Sequence, residues 1–539
     1  MKALIKDGVV YSPFPSVEIP LCSAYTIVKQ VLAKNPERLA LVDNDEHLTR
    51  REFFLRMQRY ATGFQQHGVS TGDRVCVHLS NSVDNVAAMY GCIFAGATLV
   101  LAKTSLTEGE LHYQINDSNC THVLSDVQFT GKVKKTTASL HLKGLFTMGE
   151  ADGFVSAAPF KDMDEARLRE CLIRDPRNSV IAIIYTSGTT GLPKGVEFTH
   201  YCFVANHCIS KPCVSYDDSD TFLLPAPITH GSGFIWAMAT VLDGAVCVLT
   251  PPRLTLPVFS EIVEKNKVTA AFFFTSFLHV LCTEMLRTGQ QLATIRRLCV
   301  SGGNLAQATY DSAFKAFGSL ECLVNVYGMS ESGALICSPG MRGARGTDLG
   351  YPACMTEIKV LDIVSRRKLG PNQTGEICFR MPTVMRGYYK RPKETAEFFE
   401  GEGWCKSGDA GYYDEEGRFY FVQRIKEMIK CMDNQVVPAE LEELLLREYS
   451  QDIAEVAVVG LEHAEYGEAP AAAVIVKRRG DKNELRLLAE RIKKTIAENL
   501  AVHKHLYGGV FFLDSLPKTE TSKVNRSVLA QLCAAMAPL

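Results

Sequence analysis

Apolar side chains recur at helical spacing over Phe53, Phe54, Met57, Tyr60 and Phe64, directly behind Thr49-Arg-Arg-Glu52. That tetrad is a capping box, in which a hydroxyl and a carboxylate satisfy each other's backbone donors, so a helix is predicted to open there and to stop near Gly68. Short apolar runs and amphipathic stretches then alternate: a strand over 74–79, a helix over 83–94, a strand over 98–102, a helix over about 108–115 and a strand over 121–125. Strand-like runs return at 180–184 and 196–199, a helix is expected from about His200, and further strands fall at 221–224, 270–274, 297–300 and 322–326. Such alternation predicts a mostly parallel sheet covered on both faces. From about Gly346 to Arg380 the texture changes to short strands separated by turns such as Gly350-Tyr-Pro352 and Gly370-Pro371, a β-rich subdomain. A turn at Asp414-Glu-Glu-Gly417 leads into a strand over 418–422. Beyond Gln423-Arg424 the pattern is α+β, with helices over 438–447 and about 484–499. The expected fold is therefore α/β: a large N-terminal domain, 1–422, of several α/β subdomains and a β-rich one, followed by a small α+β C-terminal domain, 423–539.

The chemistry concentrates first at Tyr185-Thr-Ser-Gly-Thr-Thr-Gly-Leu-Pro-Lys-Gly195, between two predicted strands. Glycines and small hydroxyl residues leave backbone N–H groups uncovered, and Lys194 adds positive charge, which together suit a polyphosphate. A flexible Gly/Ser linker would not carry Pro193 and Lys194 between buried-type strands. A Walker loop needs Gly-Lys-Ser/Thr opening a helix, whereas Lys194 lies between Pro193 and Gly195. The balance of 58 Lys+Arg against 60 Asp+Glu, net −2, gives no reason to expect a nucleic-acid partner, so phosphate binding must be local. The 18 cysteines include no CxxC pair or zinc-like grouping and read as reduced thiols in a cytosol-like compartment. No apolar stretch is long enough to span a bilayer, so no integral membrane segment is expected. A cytoplasmic protein is the expectation. A peroxisomal location is the alternative, although Ala537-Pro-Leu539 is not the usual peroxisomal address.

A second cluster, Asn325-Val-Tyr-Gly-Met-Ser-Glu-Ser332, follows a predicted strand, where open α/β sheets bind ligands. Two more stretches stand out: Lys406-Ser-Gly-Asp-Ala-Gly411 with Arg424, and Leu516-Pro-Lys-Thr-Glu-Thr-Ser-Lys-Val-Asn-Arg526. Taken in this order, the motifs closely resemble those of the acyl-adenylate-forming superfamily, which includes acyl-CoA synthetases, 4-coumarate–CoA ligases, beetle luciferases and peptide-synthetase adenylation domains. The resemblance runs over about 42–526.

It implies a mobile C-terminal lid and an ATP-dependent acid–CoA ligase: a fatty or aryl-propenoic acid is activated as acyl-AMP with release of pyrophosphate, and the acyl group passes to CoA. It also implies roles. Thr186, Ser187, Gly188, Thr189, Thr190 and Lys194 would hold the ATP phosphates. Tyr327 and the backbone wall at Gly302 and Gly303 would lie against the adenine, Asn325 and Gly328 would also bind the nucleotide, and Ser330 would lie near the α-phosphate. Glu331 would carry Mg²⁺, and Asp409, supported by Arg424, would take the ribose hydroxyls. His230 would gate an acyl pocket that also involves Gly302 and Val326, and Lys523 on the lid would bridge carboxylate and phosphate. Thr186, His230, Glu331 and Lys523 form the implied catalytic set, with Lys430 and Gln435 along the CoA path.

The chain departs from the family pattern at Gln423, which stands where Asp is usual before the hinge Arg, and at Ser522, where Gly usually precedes the catalytic Lys. Met432-Asp433 replaces a Lys-Gly pair along the pantetheine path, and Val326 fills a position that is often Gly beside the acyl pocket. The Met432-Asp433 departure keeps two alternatives in view, an acyl-AMP-forming enzyme with a non-CoA acceptor and a luciferase-like oxygenase; a third, a non-catalytic nucleotide-binding relative, is opposed by the joint retention of Lys194, Glu331, Asp409 and Lys523. Neither the particular acid nor the oligomeric state is legible in the residues.

Overall fold

The computed structural model describes all residues except 187–191, 215, 252–253, 342–343, 345, 433, 479 and 519–523. The chain divides into two compact units. The larger comprises Met1–Ile358, Phe379–Cys405 and Glu416–Phe419, and the smaller Lys359–Cys378, Lys406–Glu415 and Tyr420–Leu539.

Two seven-stranded sheets frame the larger unit. One runs, in spatial order, Lys194–Thr199, Val180–Thr186, Thr98–Leu101, Arg74–His78, His122–Ser125, Gly144–Thr147 and Val155–Ser156. It is parallel except for the first pair. The other runs Cys322–Asn325, Arg297–Ser301, Ala270–Phe274, Thr221–Leu224, Val246–Leu249, Leu39–Val42 and His47–Thr49, and only its last pair is antiparallel. Strands of both sheets are continuous apolar runs such as Ala270–Phe274, as expected of parallel strands covered on both faces. Behind the second sheet, Ala271, Phe273, Leu298, Val300 and Leu323 pack with Phe259, Leu278, Met285 and Phe317 into one buried cluster.

The predicted helix after Thr49 is Arg50–Gln66, and its capping box is present: the Glu52 N–H donates to Thr49 Oγ1 at 3.2 Å and the Thr49 N–H to Glu52 Oε2 at 2.8 Å. Val83–Phe94 forms the helix expected there. The strands flanking the 187–193 stretch reach further than the apolar pattern indicated, to Thr186 and back to Lys194, because these two residues pair in antiparallel register. Asp409 follows Gly408, a neighbour typical of turns, yet lies inside the strand Trp404–Tyr413.

In the smaller unit a five-stranded sheet carries helices on both faces. Along Ile453–His463 and Gly467–Val476, the residues Val456, Val458, Ala472 and Val474 face one buried cluster with the helices Pro438–Glu448 and Lys482–Asn499. Their neighbours Ala457, Val459, Ala471 and Ala473 face a second cluster with Leu529 and Cys533 of the helix Arg526–Ala534. The period of two, apolar on both faces, makes this a fully covered sheet. Among the described residues no helix is long and apolar enough to cross a membrane.

Candidate functional site

Three groups of candidate residues in the larger unit sit at C-terminal strand ends. Thr186 ends its strand and Lys194 opens the next, with Thr186 Oγ1 3.5 Å from the Lys194 carbonyl oxygen. This hairpin is pinned below the loop by Tyr185, whose hydroxyl donates to Asp117 Oδ2 at 2.7 Å. Asp117 also takes Arg391 at 2.8 Å. Ser187, Gly188, Thr189 and Thr190 lie outside the described residues.

The second group follows the strand Cys322–Asn325. Asn325 is buried and donates from Nδ2 to the Thr347 carbonyl at 2.9 Å, and the Val326 N–H donates to the Val300 carbonyl at 2.9 Å. Tyr327 and Gly328 continue into a short antiparallel pairing with Leu335–Ser338, and Ser330 starts a single helical turn carrying Glu331. Gly328 is required there by close approach: a Cβ would lie 2.9 Å from the Ala334 carbonyl oxygen.

Glu331 is only 8% exposed, and its Oε1 accepts a hydrogen bond from the Tyr388 hydroxyl at 2.8 Å. The Lys194 ammonium lies 5.0 Å from the centre of the same Tyr388 ring, so one aromatic side chain touches both the loop cation and the buried carboxylate. Backbone pairing fixes that juxtaposition. The Tyr389 N–H donates to the Gly195 carbonyl at 2.8 Å, the Glu197 N–H to the Gly387 carbonyl at 2.9 Å, and the Arg386 N–H to the Glu197 carbonyl at 3.0 Å. Burial, reinforced by the charge of Glu331, pushes the Tyr388 phenol well above its usual range, so it remains a donor at any ordinary pH. Tyr388 was not among the residues singled out in the sequence. Its only signal there was an aromatic pair after Gly387, which periodicity assigns no role.

The third group is His230 with Gly302 and Gly303. His230 caps the helix Gly231–Asp243, and its Nδ1 accepts the Ser232 N–H at 3.1 Å, which leaves Nε2 to carry the proton of the neutral ring. A Cβ on Gly231 would lie 3.2 Å from Ile184 Cγ2, so this helix end packs onto the strand that leads to Thr186. Gly302 has φ +89, and a Cβ there would meet Phe274 Cδ1 at 2.8 Å. The Phe274 ring in turn meets the His230 ring edge-on, centroids 5.5 Å apart.

In the smaller unit Asp409 is 3% exposed and pairs with Arg424, Nε to Oδ1, at 3.4 Å. Gly408, at φ +71, gives its N–H to Glu376 Oε1 at 3.1 Å, and the Asp409 N–H goes to Ser407 Oγ at 3.0 Å. The carboxylate is thus presented from an irregular, locally braced piece of strand. Lys430 and Gln435 face each other as a cross-strand pair, both exposed. Between them Met432 has φ +52, and Asp433 lies outside the described residues. Ser522 and Lys523 also lie outside them. On either side of that loop Lys518 and Val524 form an antiparallel bridge.

Among the described residues no three or more His, Cys, Asp or Glu side chains gather as a metal cage. A divalent ion at Glu331 would therefore have one protein carboxylate and would take its other ligands from phosphates and water. Such a donor set suits Mg²⁺.

The model of the AMP-binding enzyme family matches residues 28–389, and that of the AMP-binding enzyme C-terminal domain matches residues 440–523. A 4-coumarate–CoA ligase of Solanum tuberosum is 29% identical over 98% of this chain and 97% of its own length. The o-succinylbenzoate CoA synthetase of Bacillus subtilis, solved with its acyl-adenylate intermediate, superposes with a TM-score of 0.78 at 26% identity, covering 93% of this chain and 97% of that one. ATP-bound MatB from Rhodopseudomonas palustris shares the fold, with a TM-score of 0.83 at 23% identity over 94% and 98%. With two family models matched in order, the first over more than half of the chain, this chain belongs to the AMP-binding enzyme family.

Proposed function

We propose that the protein is an ATP-dependent acid–CoA ligase that works through an acyl-adenylate. The observation that carries this reading is the contact of Tyr388 with both Glu331 and Lys194, which brings a buried carboxylate and a loop cation to one place. In the first half-reaction a substrate carboxylate oxygen attacks the α-phosphorus of ATP, a P–O bond forms, and the bond to pyrophosphate breaks. Two anions must approach each other, so fixed positive charge is the main catalytic requirement. Lys194 and the 187–191 loop would hold the outgoing phosphates, and Lys523 would lie between carboxylate and α-phosphate. Glu331 would hold Mg²⁺, which when bound neutralises phosphate charge. Asn325, Tyr327, Gly328 and Gly303 would bound the adenine, Ser330 would lie near the α-phosphate, and Asp409 with Arg424 would take the ribose hydroxyls.

In the second half-reaction the CoA sulfur attacks the acyl carbon, the C–O bond to AMP breaks, and the thiol proton is released. Lys430 and Gln435 would lie along the pantetheine arm, and a swing of the C-terminal domain about Gln423-Arg424 would exchange the two sets of groups. Relatives named as CoA ligases over almost their whole length support CoA as acceptor.

The test is a panel of acids assayed for pyrophosphate release and for thioester, with and without CoA. The proposal expects acid-dependent pyrophosphate and a thioester formed only with CoA. Pyrophosphate without thioester would assign a different acceptor, and ATP bound but never cleaved would make the protein a non-catalytic relative.

A further inference from the structure

Behind His230 runs an unbroken row of aromatic rings. Phe274 meets His230 at 5.5 Å and Phe272 at 5.5 Å, both edge-on. Phe272 stacks on Trp236 at 5.3 Å, Trp236 stacks on Phe222 at 5.6 Å, and Tyr216 closes the row edge-on to Phe222 at 4.6 Å. Strand geometry explains the alignment. Ala271 and Phe273 point into the buried cluster behind the sheet, so Phe272 and Phe274 must occupy its other face, where Trp236 of the helix Gly231–Asp243 stacks on Phe272.

The row starts at the residues that the family resemblance assigns to the acyl pocket. His230 and Gly302 are two of the three residues placed in the acyl pocket, and Phe274 crowds both of them. The third, Val326, is itself buried and adds a branched side chain where glycine would leave space. A methylene held between two rings needs roughly 7–8 Å from ring to ring, twice an ordinary carbon contact. No gap between neighbours in the row reaches that width. Of the six rings, His230, Phe274 and Trp236 keep partial exposure, whereas Phe272, Phe222 and Tyr216 are buried. Phe274 is thus the wall a bound acid would touch, and Trp236 backs that wall through Phe272, which it stacks on.

We propose that Trp236 and Phe274 close the acid site close behind the reacting carboxylate, so that the substrate is a short aliphatic carboxylic acid rather than a long fatty acid or an aryl-propenoic acid. This rests on the ligase reading above and narrows its substrate class.

The experiment is acid-dependent pyrophosphate release by the full-length protein with acetate, butyrate, hexanoate, decanoate, palmitate and 4-coumarate, repeated with Trp236→Ala and with the milder Trp236→Leu. For the unaltered protein the best kcat/KM is expected among acetate, butyrate and hexanoate, with the three larger acids roughly tenfold or more below it, because overfilling a packed site is costly. In whichever variant retains the parent circular dichroism spectrum, the optimum moves to a larger acid, with a gain of about tenfold for decanoate or 4-coumarate. A wild-type optimum at decanoate, palmitate or 4-coumarate would overturn the proposal. So would an unchanged acid profile in a folded variant, or failure of both variants to fold, which would make Trp236 a structural residue only. Pyrophosphate release with none of the acids, by the parent or by either variant, would count against the ligase reading itself, a result distinct from a shifted optimum.

Discussion

Replacing Tyr388 by Phe removes one oxygen and leaves the rest of its surroundings in place. The ring keeps its edge contact with Phe398, centroids 6.2 Å apart, and still lies under the Lys194 ammonium at 5.0 Å. What disappears is the 2.8 Å hydrogen bond to a carboxylate that is 92% shielded from water. Hydrogen bonds to ionised groups contribute about 1.5–3 kcal/mol. If Glu331 must be held in place for adenylation, Tyr388→Phe therefore lowers kcat/KM for acid-dependent pyrophosphate release by roughly 10- to 150-fold. Because Tyr388 acts through Glu331, the apparent Mg²⁺ requirement should rise in parallel, which a purely structural loss would not produce. Urea unfolding provides the control: a modest drop in stability with a steep kinetic loss fits a positioning residue. A kcat/KM within twofold of the parent, or a loss that leaves the Mg²⁺ dependence untouched, would refute the argument.

Two further predictions concern stability. His200 is buried and takes the Ala24 N–H on Nδ1 at 3.2 Å, and desolvation brings its folded pKa down from 6.5 to about 4. The unfolded chain gains the proton first as pH falls, so stability is full above about pH 6.5 and is lost on the way down to about pH 4, by about 3 kcal/mol for this group. Denaturant unfolding at pH 7.5 and 4.5 should show that loss, and His200→Gln should reduce it; an equal pH dependence in the variant would exclude His200 as its source. Met432 holds a left-handed backbone at φ +52, so Met432→Gly should relieve strain and, with its side-chain packing also lost, leave thermal stability within about 1 kcal/mol of the parent. A much larger loss would mean that the packing of this side chain, and not the turn, governs the site.

Much of the scaffold could be read from the residues because local patterns and tertiary packing agree. Capping boxes mark the helix starts at Arg50 and Glu108, and apolar runs mark parallel strands such as Ala270–Phe274. Strand ends were less legible: the register that extends pairing to Thr186 and Lys194 is set by the partner strand, not by hydrophobicity. Asp409 shows the same limit, since Ser407 and Glu376 take the neighbouring N–H groups and let an apparent turn lie within a strand. Glu331 and Lys194 could be singled out by motif, but Tyr388 could not. Its role arises from pairing between the 386–389 stretch and the Lys194–Thr199 strand, nearly two hundred positions away in sequence, and no local signal encodes that pairing. The aromatic row behind His230 was hidden for a similar reason, because Tyr216, Phe222 and Trp236 come from different parts of the chain than the strand carrying Phe272 and Phe274, and all five read individually as ordinary core residues.

The two half-reactions measured separately in Lys523→Ala test the central claim most directly. The account predicts that acid-dependent pyrophosphate release is abolished while thioester formation from supplied acyl-AMP and CoA is largely retained, because that cation is needed only when two anions are joined. Equal loss of both half-reactions, or adenylation at the parent rate, would contradict it.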